Sequence, residues 1–225
     1  MEVKGLSNIF QLVSKSYRPG NFYRFPRIDY DLLREHSEGV IALTACMGGP
    51  LSKCYWQHKD EGEQKVMEEM TKVVTNFKTI FDDRFYCELQ WNAYHEQHEI
   101  NKMVIKTAQK NGIKLVSTCD SHYPRPELWK EREIYKMLGW LGKNKEELSI
   151  GNLPVSLEEM AYQLYPKNGD QLYEFYKLTS KKLGFAYDDK LIADSIERTS
   201  EILENRIENY TPDTAIKLPS FVVPE

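Results

Sequence analysis

Residues 114–123 read Lys114-Leu115-Val116-Ser117-Thr118-Cys119-Asp120-Ser121-His122-Tyr123, a short apolar run ending in an Asp and a His two residues apart. The run follows Gly112, a helix-stop signal, and predicts a strand from Lys114 to Thr118. Upstream, Glu96 to Asn111 has helical periodicity with Ile100, Val104 and Ala108 on its inner stripe. Phe85 to Gln90 reads as a strand. Glu61 to Phe81 reads as a helix with Val66, Met70, Val73, Val74, Phe77 and Phe81 on one side. Val40-Ile41-Ala42-Leu43-Thr44 is an apolar run between turn signals, expected to be a strand buried on both faces, and Gly48, Gly49 and Pro50 mark the loop after it. The order strand, helix, strand, helix, strand predicts βαβ units in a parallel sheet or barrel, an α/β fold.

The flanks are helical. Lys4 to Tyr17 predicts a first helix whose buried face carries Leu6, Ile9, Phe10, Val13 and Tyr17. Arg18-Pro19-Gly20 ends it, and an aromatic loop leads to a short helix around Asp29 to His36. Beyond Asp120, Pro126 starts a helix running to about Trp140, and a polar loop follows from Lys143 to Asn152. Ser156 and Glu159 have capping-box spacing and predict a further helix. Two more helices are expected near Asp170 to Leu183 and Asp188 to Ile207, the second with Ile192, Ile196, Leu203 and Ile207 on one face. The tail from Tyr210 to Glu225 holds three prolines and reads as an extended linker.

The chain of 225 residues is 41% hydrophobic and 28% charged, enough for one sizeable core. Its formal charge of -4 argues against a dedicated nucleic-acid binder, which needs a basic excess, while leaving a local basic patch open. No stretch approaches the roughly 20 apolar residues that span a bilayer, and the amphipathic start is unlike a secretory signal, so a cytoplasmic protein is expected. Cys46, Cys54, Cys87 and Cys119 form no C-x-x-C pair and are expected to be free thiols, the last three structural.

In parallel α/β folds, ligand groups gather at the C-terminal ends of strands. Cys46 lies just past the first expected strand, and Asp120 and His122 lie just past the third. A carboxylate and a neutral imidazole are good ligands for Zn²⁺, Mn²⁺ or Fe²⁺, and a thiolate favours zinc. Against this, D-x-H is a short pattern that chance often produces, and a lone Cys is most often a small hydrophobe. His95 and His98 flank a helix start without i, i+4 spacing and read as surface residues. No Gly-rich phosphate loop, G-x-S-x-G elbow or H-E-x-x-H motif is present.

Seven segments in this order resemble the PHP (polymerase and histidinol phosphatase) domain of bacterial DNA polymerase III α subunits. They begin with residues 5–15 (GLSNIFQLVSK), Phe25-Pro26-Arg27-Ile28-Asp29 and residues 39–49 (GVIALTACMGG). Residues 84–90 (RFYCELQ), Thr118-Cys119-Asp120-Ser121-His122-Tyr123, Ser156-Leu157-Glu158-Glu159-Met160 and residues 218–225 (LPSFVVPE) complete the set. The resemblance implies a partial distorted (β/α)7 PHP barrel with a helical C-terminal extension. It puts barrel strands up to about residue 124, the C-terminal part of the domain over 1–207, and a linker toward a polymerase palm over 208–225.

It also implies that Cys46, Asp120 and His122 are metal ligands. The family's H-x-H strand, T-D-H motif and further Glu and His have no match here, so zinc, manganese or iron would be held only if those motifs are supplied. The expected function is a fragment or split subunit of a polymerase III α subunit, inactive alone. Its partners would be the missing N-terminal PHP segment and a polymerase core on other polypeptides, with DNA contacted indirectly. A stand-alone metal-dependent phosphoesterase or 3′–5′ exonuclease, and a non-catalytic scaffold, stay open beside it.

Overall fold

The computed structural model describes residues 3–140, 155–211 and 214–215. The expected polar loop from Lys143 to Asn152, and the tail segment Leu218-Pro219-Ser220, lie outside the described residues.

The centre of the fold is a three-stranded parallel sheet of β3 (Ala42–Leu43), β4 (Phe85–Leu89) and β5 (Lys114–Ser117), in the order β3-β4-β5. Leu43 is paired with Tyr86, and Tyr86 with Lys114, so chain order and spatial order coincide. Parallel neighbours need a crossover, and helices supply both. Between β3 and β4 run α3 (Pro50–His58) and α4 (Glu63–Phe81), and between β4 and β5 runs α5 (His95–Asn111). β4 is the middle strand, and four of its five residues are buried. The expected inner stripes hold: Val66, Met70 and Val74 of α4, and Ile100, Val104 and Ala108 of α5, join one core with Leu89 and Leu115. Gly112 ends α5 in the left-handed region, where its missing Cβ removes the steric cost. The architecture is mixed α/β, mostly helical around a small parallel sheet, consistent with a partial PHP barrel.

Several expectations are corrected. β3 is only two residues long and partly open to solvent, because as an edge strand it has a neighbour on one side alone. Helix α3 occupies what the sequence suggested was loop; Pro50 stands at its first turn, where a missing N–H costs nothing. The first helix, α1 (Val3–Ser16), buries Gly5, Leu12 and Ser16, while Phe10, Val13 and Tyr17 are mostly exposed. Polar contacts set that orientation: Asn8 donates to the Glu38 carbonyl and Lys15 pairs with Glu35 at 2.7 Å. The aromatic loop after α1 is a hairpin, β1 (Phe22–Tyr23) against β2 (Phe25–Pro26). A short helix, α2 (Tyr30–Glu35), follows with Asp29 as its N-cap.

After β5 come α6 (Trp129–Trp140), α7 (Gly169–Leu183) and α8 (Asp189–Arg206). Ser156 and Glu159 open no α-helix; only a single 3-10 turn, Leu157–Glu159, forms. The Glu159 carboxylate accepts from the Val155 N–H, so the reciprocal capping pattern is absent. Helix α8 packs along β5 and covers the sheet's second edge. Arg198 donates to the Leu115 carbonyl at 3.1 Å, and Arg206 reaches the Asp83 carbonyl and the Tyr86 hydroxyl, both at 2.6 Å. Ile192 and Ile196 are buried as expected, but Leu203 is 65% exposed. A buried hydroxyl relay ties α8 to the strand. Trp91 Nε1–H donates to Ser117 Oγ at 3.0 Å, Ser117 lies 2.7 Å from Ser195 Oγ, and Ser195 donates to the Ile192 carbonyl at 2.7 Å. Because the single Ser195 hydroxyl proton goes to the Ile192 carbonyl, Ser117 is the donor to Ser195.

His98, expected at the surface, is fully buried. Its ring sits among Trp91, Phe185 and Tyr187. The Tyr187 hydroxyl donates to the His98 carbonyl at 3.0 Å and therefore accepts from Nδ1, also at 3.0 Å. Burial pushes the His98 pKa down to about 4. Between that value and the ordinary 6.5 the unfolded chain binds the proton and the folded chain does not. Stability contributed by neutral His98 is therefore full above pH 6.5 and falls as pH drops toward 4. Urea melts at successive pH values should show this loss, and His98→Gln should flatten it whatever its cost at neutral pH.

Candidate functional site at the strand ends

All three strands point their C-terminal ends at one edge of the sheet, and there the expected ligands stand. Cys46 is half-buried on the loop after β3. Asp120 is half-buried and His122 exposed on the loop after β5. Since β4 lies between β3 and β5, the two loops start about two strand spacings apart, roughly 10 Å.

A residue that the sequence reading overlooked joins them. Glu88, near the end of β4, accepts on Oε2 from the Ala45 N–H at 2.9 Å. On Oε1 it accepts from the Thr118 hydroxyl and from Gln90 Nε2, the latter at 3.2 Å. Its own N–H donates to Thr44 Oγ1 at 2.8 Å. One carboxylate thus bridges the residue before Cys46 and a residue two before Asp120. Its signal in the sequence was an acid in an otherwise apolar run, Phe85-Tyr86-Cys87-Glu88-Leu89.

Both loops carry unusual backbone. Ala45 has φ 62° and Asp120 has φ 48°, in the left-handed region that residues with a Cβ seldom occupy. The turn after β3 also needs Gly49, whose N–H donates to the Cys46 carbonyl at 2.8 Å. A Cβ there would lie 2.3 Å from the Thr44 carbonyl oxygen and 2.9 Å from that of Cys46. Ser52 of α3 donates to the same Cys46 carbonyl at 3.0 Å.

On the second loop, His122 Nδ1 lies 2.6 Å from the Asp120 carbonyl oxygen. A carbonyl only accepts, so Nδ1 carries a proton, which leaves Nε2 as the ring nitrogen available to a metal. The backbone of this loop is pinned by Leu164, whose carbonyl accepts from His122 N–H at 2.8 Å. Cys119 faces away and accepts from the Lys167 N–H at 3.4 Å. The Lys167 ammonium lies over the Tyr165 ring at 3.7 Å and the Phe175 ring at 4.5 Å, and burial pushes its pKa down to about 8. It lines a cavity of about 470 Å³ with Leu157, Gln163 and Phe175. Cys54 and Cys87 are buried thiols, and burial pushes Cys87 up to about 12.

Among the described residues, no three metal-capable side chains come close enough to hold one ion. The imidazole tautomer suits a metal, but among the described residues Cys46, Asp120 and His122 do not form a three-ligand cluster.

An α/β protein with ligand-type residues on the loops at one sheet edge is the class that fold and site define. Comparison with known proteins is more particular. Residues 1–92 match the family model described as PHP domain. The chain is 40% identical over 161 residues to the DNA polymerase III subunit alpha of Aquifex aeolicus, covering 71% of this chain and 13% of that protein. To the Helicobacter pylori subunit it is 29% identical over 204 residues, 89% of this chain and 15% of that protein. The Thermus aquaticus subunit is 36% identical over 131 residues, 58% of this chain and 10% of the relative. These matches support the PHP family, and the chain spans only a small fraction of the length of the DNA polymerase III α subunits it is similar to. No helix among the described residues is long and apolar enough to cross a membrane.

Two substitutions test the edge. Glu88→Ala strands the Ala45 N–H and the Thr118 hydroxyl without their acceptor and should cost about 1–3 kcal/mol. Hydrogen exchange should quicken in residues 44–49 and 117–122 together, since one side chain holds both. Gly49→Ala should cost about 1–3 kcal/mol through steric conflict with backbone that cannot retreat, read as a lower denaturation midpoint.

Proposed function

We propose that this chain serves as part of the PHP domain of a DNA polymerase III α subunit and contributes Cys46, Asp120 and His122 to a shared ligand set. The observation that carries this reading is the Glu88 bridge. It ties the loop that carries Cys46 and the loop that carries Asp120 and His122 to one strand end, and the His122 Nδ1 contact with the Asp120 carbonyl leaves Nε2 available to a metal. The five histidines of the chain, at 36, 58, 95, 98 and 122, include no H-x-H pair. The proposal therefore takes the remaining ligands from other PHP sequence, on the same or another polypeptide. Zinc is the preferred ion because a thiolate stands among the donors, with manganese or iron as substitutes. The polymerase core is the proposed partner of the assembled domain.

The test is zinc content and phosphodiester hydrolysis. The chain alone, desalted after zinc loading, should hold well below one zinc per molecule and should not hydrolyse bis(4-nitrophenyl) phosphate. Adding a segment that carries the family's H-x-H strand should raise bound zinc, and Asp120→Ala with His122→Ala should remove the gain. Stoichiometric zinc with hydrolysis by the chain alone would establish an independent phosphoesterase and overturn the proposal. Unchanged zinc after adding the segment would leave a non-catalytic scaffold as the surviving reading.

A further inference from the structure

The surface made by α1 and the β1–β2 hairpin is unlike the rest of the molecule in charge and in apolar exposure. Residues 3–28 hold five Lys or Arg and no Asp or Glu, in a chain whose net charge is -4. Two of those cations are engaged: Lys4 with Glu38 and Lys15 with Glu35. Arg18, Arg24 and Arg27 are in no ion pair among the described residues, and Arg27 Nε donates only to the Asn21 carbonyl, at 3.3 Å.

Aromatic rings alternate with these arginines in residues 17–27, YRPGNFYRFPR. Tyr17 is 61% exposed, Tyr23 71% and Phe25 74%. Tyr17 stacks on Phe22 with ring centres 5.7 Å apart. Tyr23 and Phe25 are Cα partners across the hairpin, so their side chains leave the same face, with Arg24 between them at the tip in the left-handed region. Phe10 and Val13 extend the apolar surface along α1. An exposed apolar patch of this extent marks a docking surface.

We propose that this surface binds single-stranded DNA, with bases stacked on Tyr23, Phe25 and Tyr17 and phosphates paired with Arg18, Arg24 and Arg27. Ring faces open to solvent accept unstacked bases of any identity, and guanidinium forks match phosphate oxygens. Duplex DNA hides its base faces in its own stack and offers such rings nothing. A second copy of the chain across a two-fold axis would bring the same arginines face to face with no carboxylate between them. The choice of DNA over other polyanions rests on the polymerase-related reading above; the surface itself lies on different elements from the strand-end loops.

Fluorescence anisotropy of the full chain with a labelled oligothymidylate of about a dozen nucleotides tests the proposal. Binding should weaken with salt between about 50 and 200 mM, with a log–log slope near -2 for three phosphate contacts. Replacing Arg18, Arg24 and Arg27 by Ala should bring the slope near zero and weaken binding more than tenfold. Tyr23→Ala with Phe25→Ala should weaken binding about tenfold or more at an unchanged slope. Circular dichroism melts should stay as in the parent, because these side chains are largely exposed. No binding at 50 mM salt would overturn the proposal, as would equal affinity for a duplex or for polyglutamate, or indifference to the aromatic pair. Tighter binding of a matching RNA would also overturn it, and so would sedimentation showing a dimer that Phe25→Ala dissolves. Zinc content plays no part in this readout, so failure here and failure of the shared metal site are separable.

Discussion

The Glu88 carboxylate is the contact on which the strand ends depend. Parallel strands leave their C-terminal loops with unpaired backbone groups at one edge, and something must satisfy them. Here one side chain from the middle strand engages both neighbours, taking the Ala45 backbone N–H on one oxygen and the Thr118 side-chain hydroxyl on the other. Because β4 is hydrogen-bonded to both β3 and β5, the Glu88 side chain reaches both loops. The left-handed backbone at Ala45 and Asp120 persists because hydrogen bonds and the close fit at Gly49 over-determine it.

The same logic of covering exposed backbone explains the C-terminal helices. β5 would present a free edge, and α8 closes it with Arg198 on the Leu115 carbonyl and the relay from Trp91 through Ser117 to Ser195. The Trp91 side chain is also one wall of the aromatic box around His98, together with Tyr187 from the segment between α7 and α8. Sheet edge and buried histidine are therefore two sides of one junction, which acid would load from the His98 side. The opposite sheet edge, at β3, is held more lightly: Arg84 donates to the carbonyls of Ser37 and Val40, and β3 itself stays half open.

What sequence reasoning missed was decided by distant residues. His98 lies in the first turn of a polar-looking helix, and Phe185 and Tyr187, nearly ninety residues on, join Trp91 to bury it. The helical spacing of α1 was legible, but its docking face was not, because polar anchors at Asn8 and Lys15 turn Phe10 and Val13 outward. The Ser156 and Glu159 pattern satisfied a local rule, yet Met160 is already extended and no helix propagates. Helix α3 does carry a local signal: Leu51, Cys54 and Tyr55 have helical spacing behind Pro50, a residue favoured at a helix start.

The sequence by itself determined the alternation of strands and helices around β4, the free thiols, and the placing of Cys46, Asp120 and His122 just past strand ends, because periodicity and turn residues are local signals. Tertiary structure alone decided that Glu88 would bridge those loops, that the two loops would start two strands apart, and that the aromatic residues around β1 and β2 would face solvent among arginines. Those outcomes depend on which strand is central and which helix face docks. Both are settled by long-range packing and by the demand that every buried polar group find a partner.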